Sequence, residues 1–451
     1  MASANPYPSL TEAAGDRAAP SDALQALPVA GRKRSSEWLL MIACFFLSWQ
    51  LVRVPQYNFT LSDGAFALAL GSLLLAGRIN SAFLGRLTAL WIVGVLCLLG
   101  GLFVGSIAND LTERWFVVAS QYFIALLVLP VVLSSFDRSV LHQCGMAFVY
   151  GVALSQVLGI LALQFVGYHA LVPYFGRTIV LGNDRIGAMT AEPNANGAVC
   201  VYALLLLVVA LMERRVSISA GLVLAGLLLA GLAFSASFTA IVALILISGA
   251  LGLMTWSRGV WRIGVPVIAF ALCYIGLGGP LPSVFVDRVA EAIVGLDLSQ
   301  AGTFTSRTEL IGEAWSRADS HFLVGLGVDQ YRIASLHGAP VHNLPLLLLN
   351  EGGAIAFVGL LSLLLCLLAA SVLIGDRDSL GGVICLCALI IVLIYTMSLP
   401  HMYARHWFGP ALIIFATYLV SPVPRPIIDE NAPLVGSAFP SRANARRGAE
   451  T

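Results

Sequence analysis

Residues 344–374 read LPLLLLNEGGAIAFVGLLSLLLCLLAASVLI. A helix needs about 20 apolar residues to cross the hydrocarbon core of a bilayer. This run exceeds that length and carries a single charge, Glu351. Its surplus reads as tilt or as an interfacial part. Immediately upstream, Gly279 to Asn343 is the opposite kind of sequence, mixed and charged, and the only sizeable polar insert among the apolar runs. The fold is therefore read as apolar helices interrupted by one large polar loop.

Composition agrees. The 451 residues are 59% hydrophobic and 11% charged, with a mean hydropathy of +0.89. A water-soluble domain has no way to hide that much apolar surface, so the chain reads as an all-α, polytopic helical membrane protein. The net charge of +1 points to no nucleic acid partner. The eight cysteines lie in or beside apolar segments, without the spacing of a disulfide framework or metal site, and read as packed thiols. Residues 1–37, ending in Arg32-Lys33-Arg34, and residues 422–451 read as disordered cytoplasmic tails flanking a membrane domain over 38–421. The first apolar stretch lacks a small-residue cleavage site, which predicts a helix and not a signal peptide.

Twelve spans are expected, near 38–54, 61–77, 87–107, 115–135, 140–166, 197–212, 217–234, 237–255, 262–278, 344–374, 381–399 and 407–421. With the N-terminus inside, 16 of the 25 basic residues fall on the cytoplasmic side, as orientation by Lys and Arg requires. Most of the outer arginines gather in two loops, 167–196 and 279–343, or beside the second. They read either as the surface of a soluble loop or as groups that handle an anion.

The large loop contains Thr305-Ser306-Arg307-Thr308-Glu309, then Trp315, Gly325-Leu326-Gly327 and finally His342-Asn343. Ser306-x-x-Glu309 ahead of apolar residues is a capping-box pattern, predicting a helix with Arg307 as its first residue. At about 100° per residue, Arg307 lines up with Ile311, Ala314 and Ala318, and Arg317 falls on the flank of Glu309 and Glu313. An arginine there opposes the helix dipole unless an anion is present, whereas the backbone N–H groups welcome a phosphate. The plain alternative is a salt bridge to Glu309 or Glu313. His342 stands where the loop meets the next span, a position for acid–base or phosphate-contact chemistry or for simple interfacial packing. Glu351 is an unpaired carboxylate about two turns inside an apolar segment, and such charges tend to be functional. Gly325-x-Gly327 reads as a tight turn.

In loop 167–196, Arg185 is flanked by glycines that permit close backbone approach to a ligand. Asn194 or Asn196, in Pro193-Asn-Ala-Asn-Gly197, reads first as the cap of the following helix. Late in the chain, His401, Arg405 and His406 lie with Tyr403 and Trp407 in a short connection that an interfacial aromatic belt accounts for, or that lines the same cavity. Phosphate-binding Gly-rich, nucleophile-elbow and His-Glu-x-x-His patterns are missing. Apart from Glu351, the expected spans read as essentially free of carboxylates.

In order, Arg185-x-Gly187, Pro193-Asn194-x-Asn196, Ser306-Arg307 with Trp315, Gly325-x-Gly327, His342-Asn343 and Glu351-Gly352-Gly353 resemble the O-antigen ligase and surface-polysaccharide polymerase superfamily of bacterial membrane glycosyltransferases. The likeness covers about residues 180–360 by motif and the membrane region by topology. It implies a bacterial inner-membrane enzyme with a large, partly helical periplasmic loop. Such an enzyme takes a glycan from an undecaprenyl-diphosphate donor and passes it to a glycan, lipid A-core or other acceptor. It needs no metal and no cofactor, and other polysaccharide-assembly proteins are potential partners. Carried over residue by residue, Arg307 and His342 match the groups that hold the diphosphate and activate the acceptor hydroxyl. Arg185, Asn194, Asn343, Glu351 and Arg405 are expected to contact diphosphate or glycan. One departure is plain: the family's arginine in a Ser-Arg-x-Ala-like turn is replaced at Ser235-Ala236-Ser237-Phe238 by Phe238. A coupled transporter and a non-catalytic scaffold remain the alternatives. The first would show carboxylates or broken helices near the midplane.

Overall fold

In a computed structural model of the chain, residues 27–54, 58–110, 112–255, 282–286 and 304–420 are described. The architecture is mostly helical. Among the described residues, the one sheet is a two-residue antiparallel pair, with Arg53 opposite Thr60 and Val54 opposite Phe59. In chain order the helices are α1 (Leu27–Phe45), α2 (Leu61–Leu75), α3 (Gly85–Ala108), α4 (Thr112–Ser134), α5 (Arg138–Val166), α6 (Tyr168–Phe175), α7 (Pro193–Met212) and α8 (Ile218–Ser235). They continue with α9 (Phe238–Thr255), α10 (Phe304–Ala318), α11 (Tyr331–Ala334), α12 (Leu344–Gly375), α13 (Ser379–Thr396) and α14 (Arg405–Leu419).

Seven of these, α3, α4, α5, α7, α8, α12 and α13, are long and apolar enough to cross a membrane; α1, α2 and α9 offer shorter apolar stretches. Helices lie over every expected span within the described residues. The expected span 262–278, residues 279–281 and 287–303 of the loop, and the tail segments 1–26 and 422–451 lie outside them. One boundary is corrected: helix α1 begins at Leu27, inside the expected disordered tail, and ends at Phe45, well short of residue 54.

The bundle is built around α7. Burial reaches 83% of its apolar window, against 33% for α8, so α7 is enclosed by neighbours and α8 keeps an open face. Large apolar side chains that remain exposed, among them Leu68, Leu75, Leu96, Val223 and Leu253, sit on helices that lipid would cover.

Helix α12 is the element that positions the site. It is not continuous: Gly353 has φ +67° and ψ −170°, which divides it into arms 344–352 and 354–375. At 1.5 Å per residue the second arm alone is roughly 33 Å long, enough to cross a hydrocarbon core. The break therefore falls near one end of the bundle. The surplus length of the 344–374 run is the short first arm.

Main chain from the polar loop completes the hydrogen bonding of this break. Leu326 N–H donates to the Asn350 carbonyl (2.8 Å), Gly327 N–H to the Glu351 carbonyl (2.9 Å), and Ala354 N–H to the Phe322 carbonyl (2.7 Å). The approach is so close that a Cβ on Gly325 would lie 2.2 Å from the Glu351 carbonyl carbon. Gly101 and Gly105 let α3 press against the same place, where added Cβ atoms would sit 2.4 Å from Ala356 N and 2.5 Å from the Glu351 oxygen. Small residues at a helix contact allow this backbone-to-backbone packing, the usual means of holding helices together in lipid.

Candidate functional site

Of the polar side chains singled out in the sequence, Glu351 and His401 meet where α12 is broken, and Arg307 and His342 lie together at the start of its first arm. Helix α10 stands on the first arm of α12. Ala314 packs there with Tyr331, Val341, Leu346 and Leu347, and Asn350 Nδ2 donates to the Ala314 carbonyl (3.0 Å). The face predicted to carry Ile311, Ala314 and Ala318 is thus the inward face, and Trp315 points away, 66% exposed. The expected start of this helix is corrected. It already includes Phe304, so Ser306 lies inside the helix and not at its start.

Arg307 and His342 are brought together. Burial first, and then the nearby Arg307 charge, hold the His342 imidazole below the ordinary histidine range. Both effects disfavour adding a proton. His342 Nδ1 is buried with no hydrogen-bond partner among the described residues. The pair is a fixed cation beside an imidazole kept neutral. Glu313, one alternative partner for Arg307, is engaged elsewhere. Its carboxylate accepts from Arg317 Nε (2.8 Å), Leu336 N–H (2.7 Å) and Ser335 Oγ (2.9 Å). Burial pushes Glu313 up, but these donors outweigh it and leave its pKa below the usual value. Glu313 therefore fastens α10 to the segment after α11.

A second group lies around the break. Glu351 is not the unpaired carboxylate expected from the sequence: its Oε2 meets His401 Nε2 at 2.9 Å. Asp329 Oδ1 approaches the same ring nitrogen at 3.8 Å, and the other Asp329 oxygen accepts from Arg114 Nε. Side-chain exposure is 2% for Glu351, 9% for His401 and 40% for Asp329, so the group is closed at its base and open at Asp329. Burial pulls the His401 pKa down, but the Glu351 carboxylate, helped by Asp329, more than offsets this and leaves it above the ordinary value. Tyr122 and Tyr403 flank the ring, with centroids 6.4 and 5.8 Å away.

Arg405 is buried and does not sit in an interfacial belt. Its Nε donates to Asp63 Oδ1 (2.5 Å) and its Nη1 to Gln121 Oε1. Asp63 corrects the reading that the spans lack carboxylates apart from Glu351. It lies in the first turn of α2, where it also closes a capping box with Thr60. The sequence signal was available in Thr60-Leu-Ser-Asp63 ahead of an apolar run. His406 is likewise buried, so the belt reading fails for it too.

Arg185 is held inside the protein, its Nε donating to the Ser235 carbonyl (2.8 Å) and its Nη2 to Asn194 Oδ1 (3.0 Å). This places its guanidinium at the turn where Phe238 replaces an expected arginine. Neither asparagine caps α7. Glu192 does so, accepting from Ala195 N–H at 2.6 Å. Asn196 instead exchanges two hydrogen bonds with Gln156 (2.8 and 2.9 Å). Asn343, expected to contact substrate, caps α12 by accepting from Leu346 N–H (3.0 Å).

The fold therefore unites Arg307 with His342 and, separately, Glu351 with His401. It gives Arg185, Asn194, Asn343 and Arg405 intramolecular partners. Asp63, Arg114, Gln121 and Asp329 are members that sequence reasoning missed. No family model matches the chain, and no curated protein matches it.

Proposed function

We propose that this chain is a bacterial inner-membrane glycosyltransferase. It would transfer or polymerise a glycan carried on undecaprenyl diphosphate at the periplasmic face, in surface-polysaccharide biosynthesis. In this reading twelve spans place both termini in the cytoplasm, and the loop 279–343 is periplasmic. The observation that carries the proposal is the juxtaposition of Arg307 with a neutral His342.

Each member of that pair suits one half of the reaction. The acceptor hydroxyl oxygen forms a bond to the anomeric carbon as the bond from that carbon to the diphosphate oxygen breaks. The hydroxyl proton passes to His342, which must be unprotonated to take it. The electron pair leaves on the diphosphate, where a guanidinium supplies a fixed charge and a bidentate fork. Stabilising charge that develops on the leaving group is the largest effect available to such a site. Arg185, with Asn194, supports the turn around Phe238.

The test is transfer in membranes carrying single substitutions. Arg307→Ala is expected to abolish glycan output while the protein still inserts, and Arg307→Lys to impair it severely. Normal output from Arg307→Ala would end the assignment.

One observation favours the transporter reading, namely a helix broken at Gly353 beside the buried Glu351. Coupled transporters place such breaks near the midplane. Here the second arm spans on its own, so the break belongs to the end of the bundle, which suits a surface reaction better. A scaffold would tolerate point changes at Arg307 and His342 and lose activity only on deletion of the loop.

A further inference from the structure

Asp329, Glu351 and His401 come from three separate segments: the loop before α11, the first arm of α12, and the connection between α13 and α14. Their ligand atoms all lie within 4.8 Å of one another. We propose that these three side chains bind a divalent transition-metal ion, zinc or manganese, that ties the polar loop to the broken helix.

The arrangement is more particular than a set of ion pairs. Two carboxylate oxygens address the same ring nitrogen, His401 Nε2, at 2.9 and 3.8 Å. One N–H hydrogen serves two acceptors poorly, whereas a cation between them is shared by all three ligands. Two carboxylates and a neutral imidazole around a divalent ion sum to zero charge, so an ion taking the place of the His401 proton would still offset the buried Glu351 carboxylate. Arg114 holds the outer oxygen of Asp329 and so aims the inner one, the part an outer partner plays at metal centres. The imidazole favours zinc and the two carboxylates admit manganese, whereas calcium and magnesium take all-oxygen sets. Exposure at Asp329 leaves a side through which an ion enters and where a further ligand binds.

This proposal stands apart from the glycan-transfer reading, because its readout is the ion itself. The full chain is purified in detergent, stripped with chelator and titrated with Zn²⁺ or Mn²⁺ alone, and bound metal is counted by mass spectrometry. One ion per chain is expected. Asp329 is 40% exposed with a left-handed backbone (φ +63°), so Asp329→Asn, which tolerates that backbone, and Asp329→Ala should each weaken binding at least 10-fold. His401→Gln should abolish binding, with circular dichroism confirming the folded state. Removing the metal should also raise the rate at which protease cuts within residues 322–330, and adding it back should restore protection. A folded chain that binds no stoichiometric metal overturns the proposal. So does binding that Asp329→Ala and His401→Gln leave unchanged, since that would be an adventitious ion only.

Discussion

Arg405 and Asp63, 342 residues apart in sequence, form an ion pair closed inside the bundle, with side chains 2% and 1% exposed. Removing one member of a buried pair leaves the other charged and uncompensated, at a cost of about 3–5 kcal/mol. Arg405→Ala is therefore expected to lower the thermal midpoint in detergent sharply and to reduce accumulation in membranes. The double substitution Arg405→Leu with Asp63→Leu should recover much of the loss. If Arg405→Ala is instead fully stable and only inactive, the arginine serves a ligand and not the fold.

The positive-φ, extended conformation of Gly353, a region essentially reserved for glycine, invites a backbone test. With φ at +67°, an added Cβ would also lie 2.4 Å from the Leu323 carbonyl oxygen. Strained positions of this kind cost about 1–3 kcal/mol each. Gly353→Ala should release residues 322–327 while leaving the rest of the bundle folded. Faster hydrogen exchange at Leu326, Gly327 and Ala354, without a matching change in α7, is the expected pattern.

His342 gives a prediction in pH. Its pKa in the folded protein lies below the ordinary value of 6.5. The unfolded chain therefore binds the proton first as pH falls. The contribution of neutral His342 to stability is complete above about 6.5 and declines as pH drops toward the folded value. Transfer should accordingly hold its rate to pH values below 6.5 before losing the base. Replacing Arg307 by Gln removes one of the two causes and should move the His342 midpoint upward. The pH profile of diethylpyrocarbonate modification at His342 reads this without requiring an active enzyme. An unmoved midpoint would show that burial acts alone.

Glu313 carries the opposite sign. Its three donors depress the carboxyl pKa, so its stabilisation is present above about 4.5 and is lost as pH falls through the lower, folded value. Glu313→Gln should cost about 2 kcal/mol, as expected for hydrogen bonds to a charged group. Its effect should vanish in acid, where the parent protein is protonated as well. Comparing the unfolding of both proteins at pH 7 and pH 3 checks this.

The helices were legible because a long apolar run has few alternatives in a chain of this composition, and 344–374 signalled even its surplus arm. What stayed hidden depends on contacts between distant segments. Asp63 was readable as a cap but was passed over inside a run judged by hydropathy. That it also meets Arg405 has no local trace. Glu351 looked unpaired because His401 lies 50 residues further on. The capping-box reading at Ser306 failed for a different reason. Phe304 and Thr305 already belong to the helix, so a pattern that suits a start was met inside one. For Arg185, the flanking glycines suggested open space, and the fold filled that space with Ser235 and Asn194.

The main-chain bonds of residues 322–327 to α12 bear on how anything reaches Arg307. A segment whose amides and carbonyls complete a neighbouring helix behaves as fixed masonry, because swinging it aside would strip three hydrogen bonds from that helix at once. Under the proposed reaction, residues 322–327 would then form a fixed wall of the site. The donor would slide in sideways from the lipid, tail still in the membrane, and the spent carrier would leave by the same horizontal door.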